Sequence, residues 1–176
     1  TVIPENRAGV EVEKVLLIED AGINDTYRDC RIVCRESPFQ VTYANFSSWS
    51  TTPDALIEDA VVLYWKQRAV FPKVDTAGNG ADPDWTMRIH IDAIERIQVQ
   101  KKWYARLAME IEIKDAENGE TLVIHTFDRK AALEKNRTTM IPQTISAILH
   151  EELLKIEAKL WQLDGPGREN PGGQRL

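Results

Sequence analysis

The chain has 176 residues, 43% of them hydrophobic and 28% charged, with 28 acidic against 22 basic side chains and a net charge of −6. That length suits one domain burying about 70% of its unfolded surface, and the composition is that of a globular protein. An acidic balance without a basic stripe argues against a nucleic-acid binder held by phosphate contacts, and no apolar run approaches the roughly 18 to 20 residues of a transmembrane helix.

In chain order, residues 11 to 18, "EVEKVLLI", end in a continuous apolar run that suits a buried strand, followed by a loop marked by Gly22, Asn24 and Asp25. Residues 30 to 36 and 39 to 46 read as two strands around Ser37-Pro38, a hairpin or one long bulged strand. Cys30, Ile32 and Cys34 fall on one strand face. Four residues of strand span about 13 Å, beyond the roughly 7 Å Cα separation that a disulfide tolerates, so two free, half-buried thiols are expected.

Thr52 in the cap position, Pro53 at the first helical position, early Asp54, Glu58 and Asp59 and late Lys66 and Arg68 predict a helix that stops before Phe71-Pro72. Its apolar stripe is expected at Leu56, Ala60, Leu63 and Val70, widened by Ile57, Val61, Val62 and Tyr64. A polar loop follows over 78 to 84. From Trp85 the period becomes two: Trp85, Met87, Ile89 and Ile91 share a face, and then Trp103, Ala105, Leu107, Met109, Ile111 and Ile113 alternate with polar residues. Asn118-Gly119 predicts a hairpin turn into a strand at 121 to 128. Ile141, Ile145, Ile148, Leu149, Ile156, Leu160 and Leu163 recur at helical spacing over 139 to 163.

The expected fold is therefore a single α+β domain, a mainly antiparallel sheet with two principal helices packed on one face. The domain is expected over residues 11 to 164, after an N-terminal extension at 1 to 10 and before a disordered Gly- and Pro-rich tail at 165 to 176.

Little in the sequence suggests catalysis. His90, His125 and His150 lack metal-binding spacing. Glu110/Glu112 and Glu151/Glu152 read as exposed strand and helix faces rather than an acid/base pair. Ser47, Ser48 and Ser50 sit outside any nucleophile elbow, and no phosphate-binding glycine loop occurs. No catalytic, cofactor or metal site is assigned. What does stand out is "YANFSSWSTTPDALIED" at 43 to 59, where three aromatics crowd a strand end beside a helix start. Trp and Tyr dominate binding hot spots, so Tyr43, Phe46, Trp49, Trp103 and Tyr104 are the candidate partner-binding residues, with core packing of Trp49 as the competing reading.

The order of these elements, with Ile32-Val33-Cys34-Arg35, Tyr43, Trp49, Pro53 and Phe71-Pro72-Lys73-Val74, resembles the ABC-type transport auxiliary lipoprotein family, the paraquat-inducible protein C-like group, over residues 11 to 163. The resemblance implies a non-enzymatic periplasmic lipoprotein anchored at the outer membrane. It would act without a cofactor beside a mammalian-cell-entry (MCE) domain protein and an ABC permease and ATPase that move lipids or other hydrophobic molecules. Two departures stand out: Ser48 precedes Trp49 where the family commonly carries a basic residue, and no lipobox cysteine occurs in these residues. The alternatives are an envelope assembly or chaperone-like lipoprotein, and a small enzyme whose residues meet only in three dimensions.

Overall fold

The computed structural model describes residues 12–77, 82–134 and 138–164, the side chains of Phe46 and Asp164 excepted. The strands are β1 (Val15–Ile18), β2 (Gly22–Ile23), β3 (Arg31–Ser37), β4 (Gln40–Ser48), β5 (Lys73–Thr76), β6 (Trp85–Val99), β7 (Lys102–Asp115) and β8 (Thr121–Ala132), with helices α1 (Pro53–Arg68) and α2 (Ile141–Asp164). The extension expected at 1 to 10, the tail at 165 to 176 and most of the 78 to 84 loop lie outside the described residues.

The 15-residue strand β6 organises everything else. Along one edge it pairs with β7 in antiparallel register, from Trp85 opposite Asp115 to Val99 opposite Lys102, and β7 pairs in turn with β8. The turn into β8 is built by Asp115, whose carboxylate accepts the N–H groups of Glu117 and Asn118, and by Gly119 at φ 72. Positive φ is the conformation a side chain penalises, which is why glycine stands there.

Along the other edge of β6 lie three successive N-terminal segments: Leu16 beside Trp85, Gly22 beside His90 and Val33 beside Glu95. All three run parallel to β6, and β1 also runs parallel to β5. The sheet is thus mixed, which corrects the expectation of a mainly antiparallel one. The reason is topological: the chain reaches β5 and β6 through α1, and a helical crossover returns the chain in a parallel sense. Strands buried on both faces lose alternation and read as short apolar runs, as Ile32-Val33-Cys34 does, whereas in Val15–Ile18 only Leu16 and Ile18 are buried.

Both helices cover one face. On it lie Met87, Ile89, Ile91, Leu107, Met109, Ile111 and Ile113, all fully buried, as the period of two requires. From α2, Ile141, Ile145, Ile148, Leu149, Leu153, Ile156 and Leu160 close over them, while Leu163 stays 38% exposed. On α1 the expected stripe is misphased. Ile57, Val61, Tyr64 and Trp65 are buried, whereas Leu63 is 54% exposed and Leu56 and Ala60 are only partly covered. A helix apolar around its girth leaves its phase undetermined, and the large rings bury the most surface. Trp65 packs edge-on against Phe71 at 5.4 Å and Phe71 against Trp85 at 6.0 Å, tying the helix to β6. Thr52 occupies the N-cap position, but its hydroxyl makes no capping bond. The helix end is set by Ala69 in the left-handed region, its N–H bonded to the Trp65 carbonyl.

Candidate functional site

One irregularity determines what the helix-free face carries. The β6–β7 register slips between Ile91 and Ala93, a bulge that adds one residue and re-phases the alternation. Before it, odd-numbered residues of β6 point under the helices. After it Ile94 does, and Glu95 turns to the opposite face, where it sits opposite Arg106. Without the slip a carboxylate would enter the apolar core.

Glu95 is fully buried, and both its oxygens are engaged. Tyr27 Oη and Arg35 Nε each donate to Oε2 at 2.9 Å, and Arg106 Nη1 donates to Oε1 at 2.7 Å. Arg106 also grips Asp128 through Nε and Nη2, both at 2.8 Å, which holds the Asp128 carboxyl below the usual carboxylate range. Burial pushes the Tyr27 phenol up. This network links β3, β6, β7, β8 and the turn at Asp25–Tyr27. Removing one partner of such a cluster would strand a charge, so the network ties these segments together across the helix-free face.

Of the four aromatic candidates whose side chains are described, the structure brings two to that face. Tyr43 is 36% exposed, with the Arg31 guanidinium 3.8 Å above its ring. Tyr104 is partly exposed, with Lys130 Nζ 5.5 Å from its ring centroid. They stand three strand spacings apart, about 14 Å laterally. Trp103 points to the other face, packed against the core under the Arg96 guanidinium at 3.6 Å. Trp49 is 7% exposed, its backbone N–H bonded to the Cys30 carbonyl at 2.7 Å. The side chain of Phe46 lies outside the described residues. Two exposed apolar residues of the strands and their turns were not singled out from the sequence: Phe39, 98% exposed at the β3–β4 hairpin tip, and Ile124, 55% exposed on β8. For Phe39 a signal existed, an aromatic directly after the Ser37-Pro38 break. Ile124 is given away only by its phase against Val123 and His125.

The helix-covered side holds two buried carboxylates that sequence reasoning missed. Glu152, expected on the wet side of its helix, is 1% exposed. It accepts from His125 Nε2 at 2.8 Å and from Arg129 and Lys155 at 2.6 Å each. Glu157 accepts from Tyr64 Oη at 2.7 Å and from Arg68 Nε and Nη2 at 3.0 and 2.7 Å. Burial pushes both carboxyls up, but the bonds from Lys155 and His125 on one, and from Arg68 and Tyr64 on the other, more than offset it and hold both below the usual range. Each carboxylate takes three donors, an arrangement that fastens α2 to β8 and to α1. Among the described residues, no group of three His, Cys, Asp or Glu is arranged to hold a metal. The cysteines are free, Cys34 buried and Cys30 half-buried.

A profile described as the ABC-type transport auxiliary lipoprotein component matches residues 3–156. Among solved structures, protein XCC0632 from Xanthomonas campestris, of family DUF330, superposes with a TM-score of 0.78 at 16% identity, over 89% of this chain and 91% of that one. The hypothetical protein CT253 from Chlamydia trachomatis gives 0.58 at 7% identity, over 85% and 98%. A PelC dodecamer from Paraburkholderia phytofirmans gives 0.54 at 9%, over 82% and 89%. Identities this low show a shared fold alone. No functionally curated protein matches the chain.

Proposed function

The chain belongs to the ABC-type transport auxiliary lipoprotein family, and from that membership we propose that it is a non-catalytic subunit of the cell envelope. It works by docking a protein component of an MCE-linked transporter for lipids or other hydrophobic molecules. Its anchor is a lipidated N-terminus at the outer membrane, its place is the periplasm, and it uses no cofactor. Among the described residues no helix is long and apolar enough to cross a membrane.

The observation that carries the docking reading is the helix-free face. Its aromatic and aliphatic groups, exposed Ile124 and Tyr43 and partly exposed Tyr104, stand on strands tied together by the Glu95 network. Arg31 and Lys130 hold the two rings by cation–π contact, so little side-chain freedom is lost when a partner covers them. Rigid Tyr anchors ringed by charges have the composition of a hot spot. The partner is an MCE-domain protein or the permease and ATPase assembled with it, presenting a surface that takes these rings.

The test is a pull-down from solubilised envelopes, with the wild-type domain and a folded Tyr104→Ala, Ile124→Lys variant as baits and bound proteins and lipids identified by mass spectrometry. Recovery of an MCE-domain protein by the wild type and its loss in the variant is expected. Recovery of no transporter component, or equal recovery by both baits, would count against the reading.

A further inference from the structure

Two tight turns meet at one end of the sheet. β3 passes into β4 through Pro38 and Phe39, between paired Ser37 and Gln40, and β6 passes into β7 through Gln100 and Lys101, between paired Val99 and Lys102. β3 lies parallel to β6 with Arg35 beside Ile97. Two residues further on, Ser37 is level with Val99, so the turns stand side by side, about 4.8 Å apart as neighbouring strands are.

The side chains at this end form an unusual set. Phe39 is 98% exposed, so its ring touches almost nothing of its own chain and packing does not account for it. Lys101 and Lys102 are exposed, and neither enters an ion pair among the described residues. Exposed Glu36 and Glu134 oppose them at this end, while exposed Lys130 and the Arg96 guanidinium over Trp103 reinforce them. The end is thus basic in a chain whose net charge is −6.

The β6–β7 turn also keeps its lysine against a backbone preference. Gln100 and Lys101 sit at φ 49 and 62, the left-handed pair that this kind of two-residue hairpin turn requires and that Asn-Gly fills most readily. The turn between β7 and β8 places glycine at its positive φ, Gly119. Here two long side chains hold a conformation that penalises a Cβ, and residues held against preference cluster at functional positions.

A projecting ring beside unpaired ammonium groups suits a lipid surface, where the ring enters the acyl boundary and the cations meet anionic headgroups. A protein partner needs a pocket shaped to a convex tip, whereas a fluid bilayer closes around one. We infer that the paired turns form an apex that seats Phe39 in an anionic phospholipid bilayer, with Lys101 and Lys102 on its headgroups. One ring and two lysines bind less tightly than a single myristoyl chain, whose constant is about 10⁴ M⁻¹, so the contact is reversible. It is independent of which partner the helix-free face takes.

Flotation of the full chain with vesicles tests it. Vesicles of phosphatidylglycerol with phosphatidylethanolamine should half-bind the wild type at on the order of 1 mM lipid. Vesicles of phosphatidylcholine alone should bind it roughly twentyfold less, at about fivefold per lysine. Raising salt from about 0.1 M to about 1 M, which shortens the Debye length from about 10 Å to about 3 Å, should erase that difference. Phe39→Ser should lower binding about tenfold or more, and Leu63→Ser, at an exposed leucine on α1, should leave it unchanged. Lys101→Gly should raise the urea midpoint by relieving the backbone, yet weaken vesicle binding about fivefold. No wild-type binding to the phosphatidylglycerol vesicles, equal binding to phosphatidylcholine, or equal binding by Phe39→Ser would overturn the inference. Capture of an envelope protein that depends on Phe39 without any vesicle binding would overturn it in favour of a protein partner.

Discussion

Glu157→Gln removes one charge and little volume from the junction of α1 and α2. In the wild type the carboxylate takes three donors, one from Tyr64 and two from Arg68. Leaving a buried partner charge uncompensated costs about 3–5 kcal/mol. The Arg68 side chain, however, keeps 42% exposure and can rehydrate, and the glutamine carbonyl still accepts one bond, so the cost is roughly 2 kcal/mol. For a chain of this length that is a drop in Tm of about 4–8 °C, read by thermal unfolding and, independently, by the urea midpoint at unchanged m. The pH dependence adds a sign. Because the folded Glu157 carboxyl is held low by Arg68 and Tyr64 against the upward push of burial, its contribution is fully present above the ordinary carboxyl range near 4.3. It is lost as pH falls through the depressed folded value. The gap between wild type and variant should stay constant from pH 5 upward and close in stronger acid. A gap under about 0.5 kcal/mol, within the scatter of neutral surface changes, or one that widens in acid, would refute the reasoning.

Other expectations follow from burial and backbone geometry. Trp49→Ala should cost about 3–5 kcal/mol as a large-to-small change at a buried site, and Tyr104→Ala less than about 1.5 kcal/mol; comparable urea midpoints for the two would contradict the packing described. Gly119→Ala meets nothing within 4 Å of the added carbon, yet should cost about 1 kcal/mol from its positive φ alone, with Gly119→Asn milder; equal stability of all three would show that the turn relaxes. Native alkylation should label Cys30 well before Cys34, whose thiol is covered and pushed up by burial; equal rates would contradict the placement of Cys34.

What the sequence revealed was local and periodic. The alternation from Trp85 to Ile113, the Asn118-Gly119 turn and the spacing from Ile141 to Leu160 placed the long hairpin and α2 because each signal is complete within a few residues. The parallel pairing of β1, β2 and β3 was illegible because it joins segments some 60 to 70 residues apart through a crossover, and two-residue β2 and four-residue β5 are too short to carry a pattern. The buried acids were hidden for another reason. Glu95 depends on the bulge after Ile91, and Glu152 and Glu157 on the donors that β8 and α1 bring to them, neither of which is written in α2 itself. Within the aromatic cluster at 43 to 49 the local sequence did not separate Trp49, which is buried, from Tyr43, which is 36% exposed.

The central claim, that the helix-free face meets the transporter, is tested most directly by site-specific photo-crosslinking in whole cells. A photoreactive residue at position 104 or 124 should give an adduct with an MCE-domain protein, and one at position 63 on the exposed side of α1 should not. Adducts from position 63 alone, or none with any transporter component from the sheet positions, would contradict the account.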